Sequence, residues 1–509
     1  MAIIDARTLP DASPIEADLV IIGGGLAGIT LAKELAKGPL KVVILESGGL
    51  EIEADNQALY AGFGVQKAPG NPDRPFDDYP VQSRIRALGG SGHVWGGKCA
   101  PLDPADFAER AWIPYSGWPV TREQMQPFYD RACDLLEIPR FPLDRPAPSE
   151  PERQPLALDP TDGFFPAPRE FSRFSGGTDK AAFDAFRTKF AEAANITVYL
   201  YANVVRIRRE GEAIKGLDIA CLDGKRHTAK AKRYVLAVGG IENARLLLAS
   251  DNLGNRNDLV GRFFQGHVTY SNDSDDETEG TAIAVTRAAP MDLYAPPRRM
   301  SAHCVIGSGL AAQKRMKTGN FTATLFRATF SGADKPVGAD TRTIGRAGAR
   351  VARGRDEPQL LGYFAMAEHF PNPESRVTLD GEHKDALGMP RVRLTWTYGE
   401  KDYADLERSV TGLADALGAA GEARMCWSIE RGKLLALSSA SRHHMGATRM
   451  HPDPTKGVVD PDLRLHEARN LYVAGSSVFP TSGIANPTLT ILALTMRLAD
   501  HLKSEMRAA

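Results

Sequence analysis

The sequence predicts an α/β chain of two parts: a Rossmann-like nucleotide-binding domain, and a second domain built on an antiparallel sheet covered by helices. Three observations carry this. Near the N-terminus an apolar run, a glycine-rich turn, a helical stretch and a second apolar run follow one another. Further apolar runs ending in glycine recur at Val238-Gly239-Gly240 and Ala474-Gly475-Ser476. Between these two, residues 360–366 and 391–397 alternate as strands of an antiparallel sheet do, and 402–420 has the spacing of an amphipathic helix.

Taken in order, Leu19-Val20-Ile21-Ile22 suits a buried parallel strand. Ile29, Leu31, Ala32 and Leu35 then recur at helical spacing, and Lys41-Val42-Val43-Ile44-Leu45 is a second strand, so 17–46 is one βαβ unit. Residues 138–173 are rich in proline and polar side chains and read as an extended excursion. A strand-rich stretch, 196–238, ends on the apolar Tyr234-Val235-Leu236-Ala237-Val238. The acidic segment 272–280 and the glycine- and arginine-rich segment 332–358 read as solvated loops, the second also as a candidate lid or partner surface. Residues 470–474 form a last strand, and a helix over 487–503 follows it.

The 509 residues call for more than one domain, and 43% hydrophobic with 25% charged residues is ordinary for a soluble globular protein. With 62 basic against 63 acidic side chains, the chain lacks the one-sided basic field that nucleic acid or an anionic membrane would favour. Cys99, Cys133, Cys221, Cys304 and Cys426 are scattered without CxxC spacing, so they read as buried thiols rather than a metal site or a disulfide framework. No secretory pattern opens the chain and no apolar run approaches a membrane span, so the expected location is cytoplasmic.

Gly23-Gly24-Gly25-Leu26-Ala27-Gly28 has the form GxGxxG. In that pattern the first glycine permits the strand-to-helix turn, the second lets a pyrophosphate approach the backbone, and the third lets helix and strand pack closely. The free N–H groups of the helix then face the phosphates. Glu46 follows Gly28 by 18 positions, close to the roughly 20 expected for the acid that hydrogen-bonds a ribose. FAD and NAD both contain ADP, so the turn alone fits either. That there is one such turn, and that several glycine-ended strands recur, leans towards flavin.

Longer motifs extend this. Ala87-Leu88-Gly89-Gly90-Ser91-Gly92-His93-Val94-Trp95-Gly96-Gly97, Leu236-Ala237-Val238-Gly239-Gly240-Ile241-Glu242-Asn243 and Gly261-Arg262-Phe263-Phe264-Gln265-Gly266-His267 occur in that order. They are followed by His443-His444-Met445-Gly446-Ala447-Thr448-Arg449-Met450, then Asn470-Leu471-Tyr472-Val473-Ala474-Gly475-Ser476-Ser477, then Ala485-Asn486-Pro487-Thr488-Leu489-Thr490. Together they resemble the glucose–methanol–choline (GMC) family of FAD-dependent oxidoreductases, nearest to its bacterial sugar and glycoside oxidases and dehydrogenases of the pyranose oxidase type.

The resemblance implies an FAD-binding domain assembled from 1–135, 190–263 and 441–509, an excursion over 136–189, and a substrate domain over 264–440. It implies that Gly23, Gly25, Leu26, Ala27, Gly28, Glu46 and Ser47 hold the ADP moiety, and that Val205 meets the adenine through its backbone. Arg86, Gly89, Gly90, Ser91, His93, Val94 and Ala237 would complete the cofactor contacts. Gly475 and Ser476 would approach the pyrophosphate, and the helix opening at Asn486-Pro487-Thr488 would aim its positive end at the flavin N1–C2 carbonyl edge. No metal is implied.

The implied reaction oxidises an alcohol: hydride leaves the carbinol carbon for flavin N5, and a base takes the hydroxyl proton. Histidine suits that base. The family's His-x-x-Gly motif assigns it to His443, with His444 the neighbour most easily confused with it, and Asn486 as partner to the substrate hydroxyl. Asn486 also reads as a helix cap before Pro487. Relatives that attach FAD covalently do so through a histidine immediately before the tryptophan; here Val94 precedes Trp95, so FAD is expected to be non-covalent. His93 then either contacts flavin or substrate, or shapes the loop. The expected substrate is a secondary alcohol of a sugar or glycoside, with oxygen or a quinone-like molecule as electron acceptor. Oxidation of a non-sugar alcohol, a flavin lyase or decarboxylase, and a silent FAD-binding subunit are the alternatives; the last is disfavoured by the intact His443 and Asn486.

Overall fold

The structure, a computed structural model, describes residues 2–70, 72–143, 156, 158, 163–271, 282–285, 302–327, 359–421, 423–426 and 441–508. The segments 272–280 and 332–358, expected as loops, lie outside the described residues.

Eight described strands form the nucleotide-binding sheet. Its order is Ala2–Asp5, Ile196–Leu200, Val42–Leu45, Pro14–Ile22, Arg226–Leu236, Ala213–Ala220 and Asn203–Glu210. The strands Pro14–Ile22 and Val42–Leu45 pair in parallel through the helix Leu26–Leu35, as the βαβ reading expects. All four residues of Val42–Leu45 are buried, because helices cover both faces of a parallel sheet.

Arg226–Leu236 is the longest strand of this sheet and has two kinds of neighbour on one side. Its first residues pair antiparallel with Ala213–Ala220, its immediate predecessor in the chain. Its last three, Tyr234, Val235 and Leu236, pair in parallel with Leu471, Tyr472 and Val473. Its other side runs in parallel with the whole of Pro14–Ile22. Four parallel strands therefore end together, at Ile22, Leu45, Leu236 and Val473.

A second sheet of eight described strands is antiparallel throughout, in the order Ala423–Cys426, Ala282–Val285, Gln359–Glu368, Phe321–Arg327, Ala302–Ser308, Phe164–Phe171 and Lys98–Cys99, with His267–Ser271 also on Gln359–Glu368. The helix Glu400–Ala419 packs on it through Tyr403, Leu406, Val410, Leu413 and Leu417, at the spacing that predicted the helix. Two features differ from expectation. Phe164–Phe171, expected within an extended excursion, is a full strand of this sheet; Pro166 and Pro168 read as breakers, yet the strand pairs over seven positions with Ala302–Ser308. And Pro390–Thr397 belongs to a separate four-stranded sheet, antiparallel to Arg376–Lys384 but parallel to Gly62–Lys67.

Among the described residues no helix is long and apolar enough to cross a membrane, and no cluster of His, Cys, Asp or Glu is arranged to hold a metal ion. Cys99, Cys133 and Cys221 are buried and free; the side chains of Cys304 and Cys426 are not among those described.

One buried ion pair ties the two large units together. Arg110 donates from Nη1 and Nη2 to the two carboxylate oxygens of Glu368, each at 2.7 Å, with side chains 1% and 0% exposed. Burial, with the charge of Glu368 beside it, pushes the nearby Asp106 carboxyl up to about 7. Replacing Glu368 with alanine leaves Arg110 charged and unpaired in the interior, so denaturant unfolding should show a loss of about 3–5 kcal/mol. Removing Asp251 from the exposed Arg206–Asp251 pair should leave the unfolding midpoint essentially unchanged.

Candidate active site

A cavity of about 420 Å³ opens where the four parallel strands end, the place an open α/β sheet offers a ligand. Ile22, Leu45, Ala237 and Ala474 all reach its wall. Three helices also begin there, at Leu26, Gly240 and Thr488, so three sets of unpaired backbone N–H groups and three positive dipole ends converge on one space.

The glycine turn divides its labour as the motif predicts. A Cβ on Gly23 would lie 2.6 Å from the carbonyl oxygen of Ala237, and one on Gly28 would lie 2.0 Å from that of Gly23. These two are fixed by packing. A Cβ on Gly25 would meet nothing within 4 Å, and neither would one on Gly239. That space is of the kind a pyrophosphate needs against the backbone. Glu46 accepts from the N–H of Gly24 at 2.7 Å through Oε2, and from the N–H of Gly48 at 2.8 Å and the Ser47 hydroxyl at 3.1 Å through Oε1, so Oε2 keeps a lone pair for a ribose hydroxyl.

Gly25, Leu26, Ala27, Glu46, Ser47, Arg86, Gly90, Ser91, Val94, Ala237, Gly475, Ser476, Asn486 and Thr488 line the cavity, as does Gly23; Gly28 lies behind the turn. Gly89 is also behind the wall, its N–H donating to the carbonyl of Gly24 at 2.7 Å and its Cα facing Phe183. His93 points away. Its Nε2 bonds the carbonyl of Leu88 at 3.0 Å and its ring meets Phe183 edge-on at 5.0 Å, both contacts within the loop and its backing. Val205 is not on the cavity: it faces a shallow depression on another face, and its neighbours Asn203 and Val204 line the cavity instead.

His443 lies on the wall between two partners. The Asn486 amide nitrogen is 3.2 Å from its Nε2, and His267 Nδ1 is 2.9 Å from its Nδ1. An amide nitrogen only donates, so Nε2 of His443 accepts and its proton sits on Nδ1, which donates to His267. Burial, reinforced by the charge of Lys98, lowers the His443 pKa to about 4, so the ring is neutral at ordinary pH. His267 is held well below its ordinary value by burial and by His443, and its Nε2 is buried beside Ser482 and Gly483 without closing a hydrogen bond. His444 is engaged elsewhere: its Nε2 lies 2.9 Å from the Tyr79 hydroxyl, which itself donates to the Ser441 carbonyl at 2.6 Å.

Sequence reasoning missed several wall residues. Glu242 receives Arg84 at 2.8 Å, Arg86 at 3.2 Å and Arg245 at 3.3 Å, and these three charges outweigh burial to hold its pKa at about 2. Arg84 and Arg86 also lie over the Tyr60 ring at 4.0 and 4.2 Å. Lys98 and Arg442 reach the cavity beside His443. His267 and Glu242 do fall inside motifs quoted above, but nothing local marks them as partners of His443 or of three arginines.

A family model described as FAD dependent oxidoreductase matches residues 18–363, and one described as GMC oxidoreductase matches residues 371–495. The chain is 25% identical to a 2-methyl-1,2-propanediol dehydrogenase of Mycolicibacterium austroafricanum, over 96% of this chain and 95% of that one. It is 26% identical to a 6'''-hydroxyparomomycin C oxidase of Streptomyces lividus, over 96% and 93%. A C-glycoside 3-oxidase of Arthrobacter globiformis is 28% identical over 60% of this chain and 53% of its own. Among solved structures, a pyridoxine 4-oxidase from Mesorbium loti aligns over 96% of this chain and 99% of its own, with a TM-score of 0.57 at 19% identity. A formate oxidase aligns over 98% and 100%, with a TM-score of 0.62 at 17% identity.

The open Gly25 position, the three helix N-termini and the free lone pair on Oε2 of Glu46 fit FAD. Gly25→Val should leave the melting temperature of the FAD-free chain nearly unchanged and weaken FAD binding at least about tenfold, since it fills only ligand space. Gly28→Ala should instead destabilise the fold by roughly 1–3 kcal/mol through backbone overpacking. Fluorescence titration with FAD and thermal melts of both variants would check the pair.

Proposed function

The chain belongs to the GMC family of FAD-dependent oxidoreductases, and from that premise we propose that it oxidises a secondary alcohol of a sugar or glycoside to a ketone. The observation that carries this reading is the pairing of His443 with Asn486 at the mouth of a helix, on the wall of the same cavity that holds the glycine turn. The names of its relatives agree in kind: a C-glycoside 3-oxidase, a paromamine 6'-oxidase of Streptomyces fradiae and a fructose dehydrogenase large subunit of Gluconobacter japonicus all act on sugar-type molecules.

Oxidation of a carbinol releases a hydride from carbon and a proton from oxygen. Bound FAD supplies the two-electron acceptor for the hydride. The proton goes to Nε2 of His443, whose lone pair is held towards Asn486 while Nδ1 is occupied by His267. Asn486 directs its amide at the same point, so a substrate hydroxyl placed there meets a donor and an acceptor together. His267, buried and neutral, fixes the tautomer and accepts the charge-assisted hydrogen bond when His443 becomes cationic. Oxygen or a quinone-like molecule is the proposed electron acceptor. The position that relatives use for covalent attachment is Val94, which has no nucleophile, so FAD is proposed to be non-covalent.

Screening sugars and glycosides for anaerobic bleaching of the flavin, then admitting oxygen and assaying peroxide, tests the function. Product without bleaching would establish a lyase instead. His443→Ala should keep FAD bound and slow bleaching by about 10²- to 10⁴-fold, measured by stopped flow. Because the folded-state pKa of His443 lies near 4, the base is competent above that value and is lost as pH falls through it. The bleaching rate should therefore be flat from about pH 5.5 to 8 with respect to this group and fall with one protonation near 4. Acid precipitation should leave a colourless pellet and a yellow supernatant; colour retained in the pellet would mean a covalent flavin.

A further inference from the structure

The carboxylates of the cavity wall are each satisfied by their own neighbours: Glu46 by two backbone N–H groups, Glu242 by three arginines, and Asp385 by Arg245 at 2.7 Å. The cations are not balanced in this way. Lys98 and Arg442 both line the cavity beside His443, and among the described residues neither has a carboxylate partner. Lys98 comes from the strand Lys98–Cys99 at the edge of the antiparallel sheet, opposite Phe171, so its position is fixed by a ladder rather than by a loose loop. It lines the same cavity as His443, and its charge helps to depress that ring. A half-buried ammonium with no counter-ion is costly unless an anion joins it.

We propose that the substrate alcohol also carries a carboxylate, and that Lys98 is the seat of that group beside His443. The proposal rests on the alcohol-oxidation reading above and narrows it to hydroxy acids, sugar acids included. A monoanion matches the site, because Arg442, the second cation, is exposed to solvent and strongly screened, whereas Lys98 is half-buried. Burial and the charge of Arg169 lower the Lys98 pKa to about 7, so near neutral pH about half the sites hold an amine. An arriving carboxylate favours the ammonium, and binding therefore takes up a proton.

The test compares matched probes on the FAD-loaded enzyme: D-glucuronate against D-glucose, and lactate against 1,2-propanediol. Perturbation of the flavin's visible band gives the affinities. Each acid should bind about tenfold or more tighter than its neutral partner, with an advantage that shrinks as salt rises, and calorimetry in buffers of different ionisation enthalpy should show proton uptake near pH 7. Lys98→Met should abolish both the advantage and the uptake, and Lys98→Arg should retain the advantage. Equal or weaker binding of the acids to the unaltered enzyme, or no binding of them at all, overturns the proposal whatever the variants do. So does an acid preference that survives in Lys98→Met, including the case where that variant shifts the flavin's reduction potential, which would make Lys98 a cofactor residue. Acids that bind by this criterion while no alcohol bleaches the flavin anaerobically would sink the oxidation reading and leave the anion seat standing.

Discussion

The strand Arg226–Leu236 is the member on which the rest of the site depends. A parallel pair needs a crossover, and this strand receives two, one from Pro14–Ile22 and one from Leu471–Val473. Its first half closes a local antiparallel ladder, which leaves only its last three residues open to a partner from far along the chain. That restriction is what places Ala474-Gly475-Ser476 beside Ala237, one strand away from Gly23, and with it the His443 segment, since Gly446 and Thr448 donate to the carbonyls of Ser476 and Ser477 at 3.2 and 2.8 Å. Without the upper ladder the nucleotide turn and the catalytic pair would belong to different surfaces.

The two sheets supply different parts of the chemistry. Positions that meet the cofactor's ADP half come from the parallel sheet, where glycine and helix N-termini leave backbone exposed. His267 and Lys98 come from ends of the antiparallel sheet, where a ladder fixes each against a neighbour, Glu368 and Phe171. Glu368 is itself clamped by Arg110. His267, behind His443, is thus the register partner of a residue in a buried ion pair, a rigid backing for a ring whose tautomer matters.

Much of this was legible in the sequence because it is local. Gly23, Gly25 and Gly28 each serve a geometric need that three adjacent elements define, and the unbroken apolar run 42–45 and the helical spacing of 402–417 report burial directly. The family resemblance implied that His443 and Asn486 act together, and the structure brings them within 3.2 Å. What failed was non-local or a matter of one residue. Val205 lies one residue beyond Asn203 and Val204, which line the cavity. His93 was ambiguous until Phe183, which no nearby signal announces, was seen to fill the space beside it. The arginines around Glu242 come from separate segments and pair through space, and Phe164–Phe171 was hidden by prolines whose effect depends on which edge of a ladder they occupy.

The shared strand also has a consequence for the order in which the protein is made. The Gly23 turn and the strands Pro14–Ile22 and Arg226–Leu236 leave the ribosome well before Leu471 exists, so Tyr234, Val235 and Leu236 emerge with an unpaired sheet edge. During that interval the nascent chain has half a nucleotide site and a short apolar edge awaiting its own distant strand. A chain truncated before residue 471 lacks both the strand that closes that edge and the Ala474-Gly475-Ser476 part of the cavity wall.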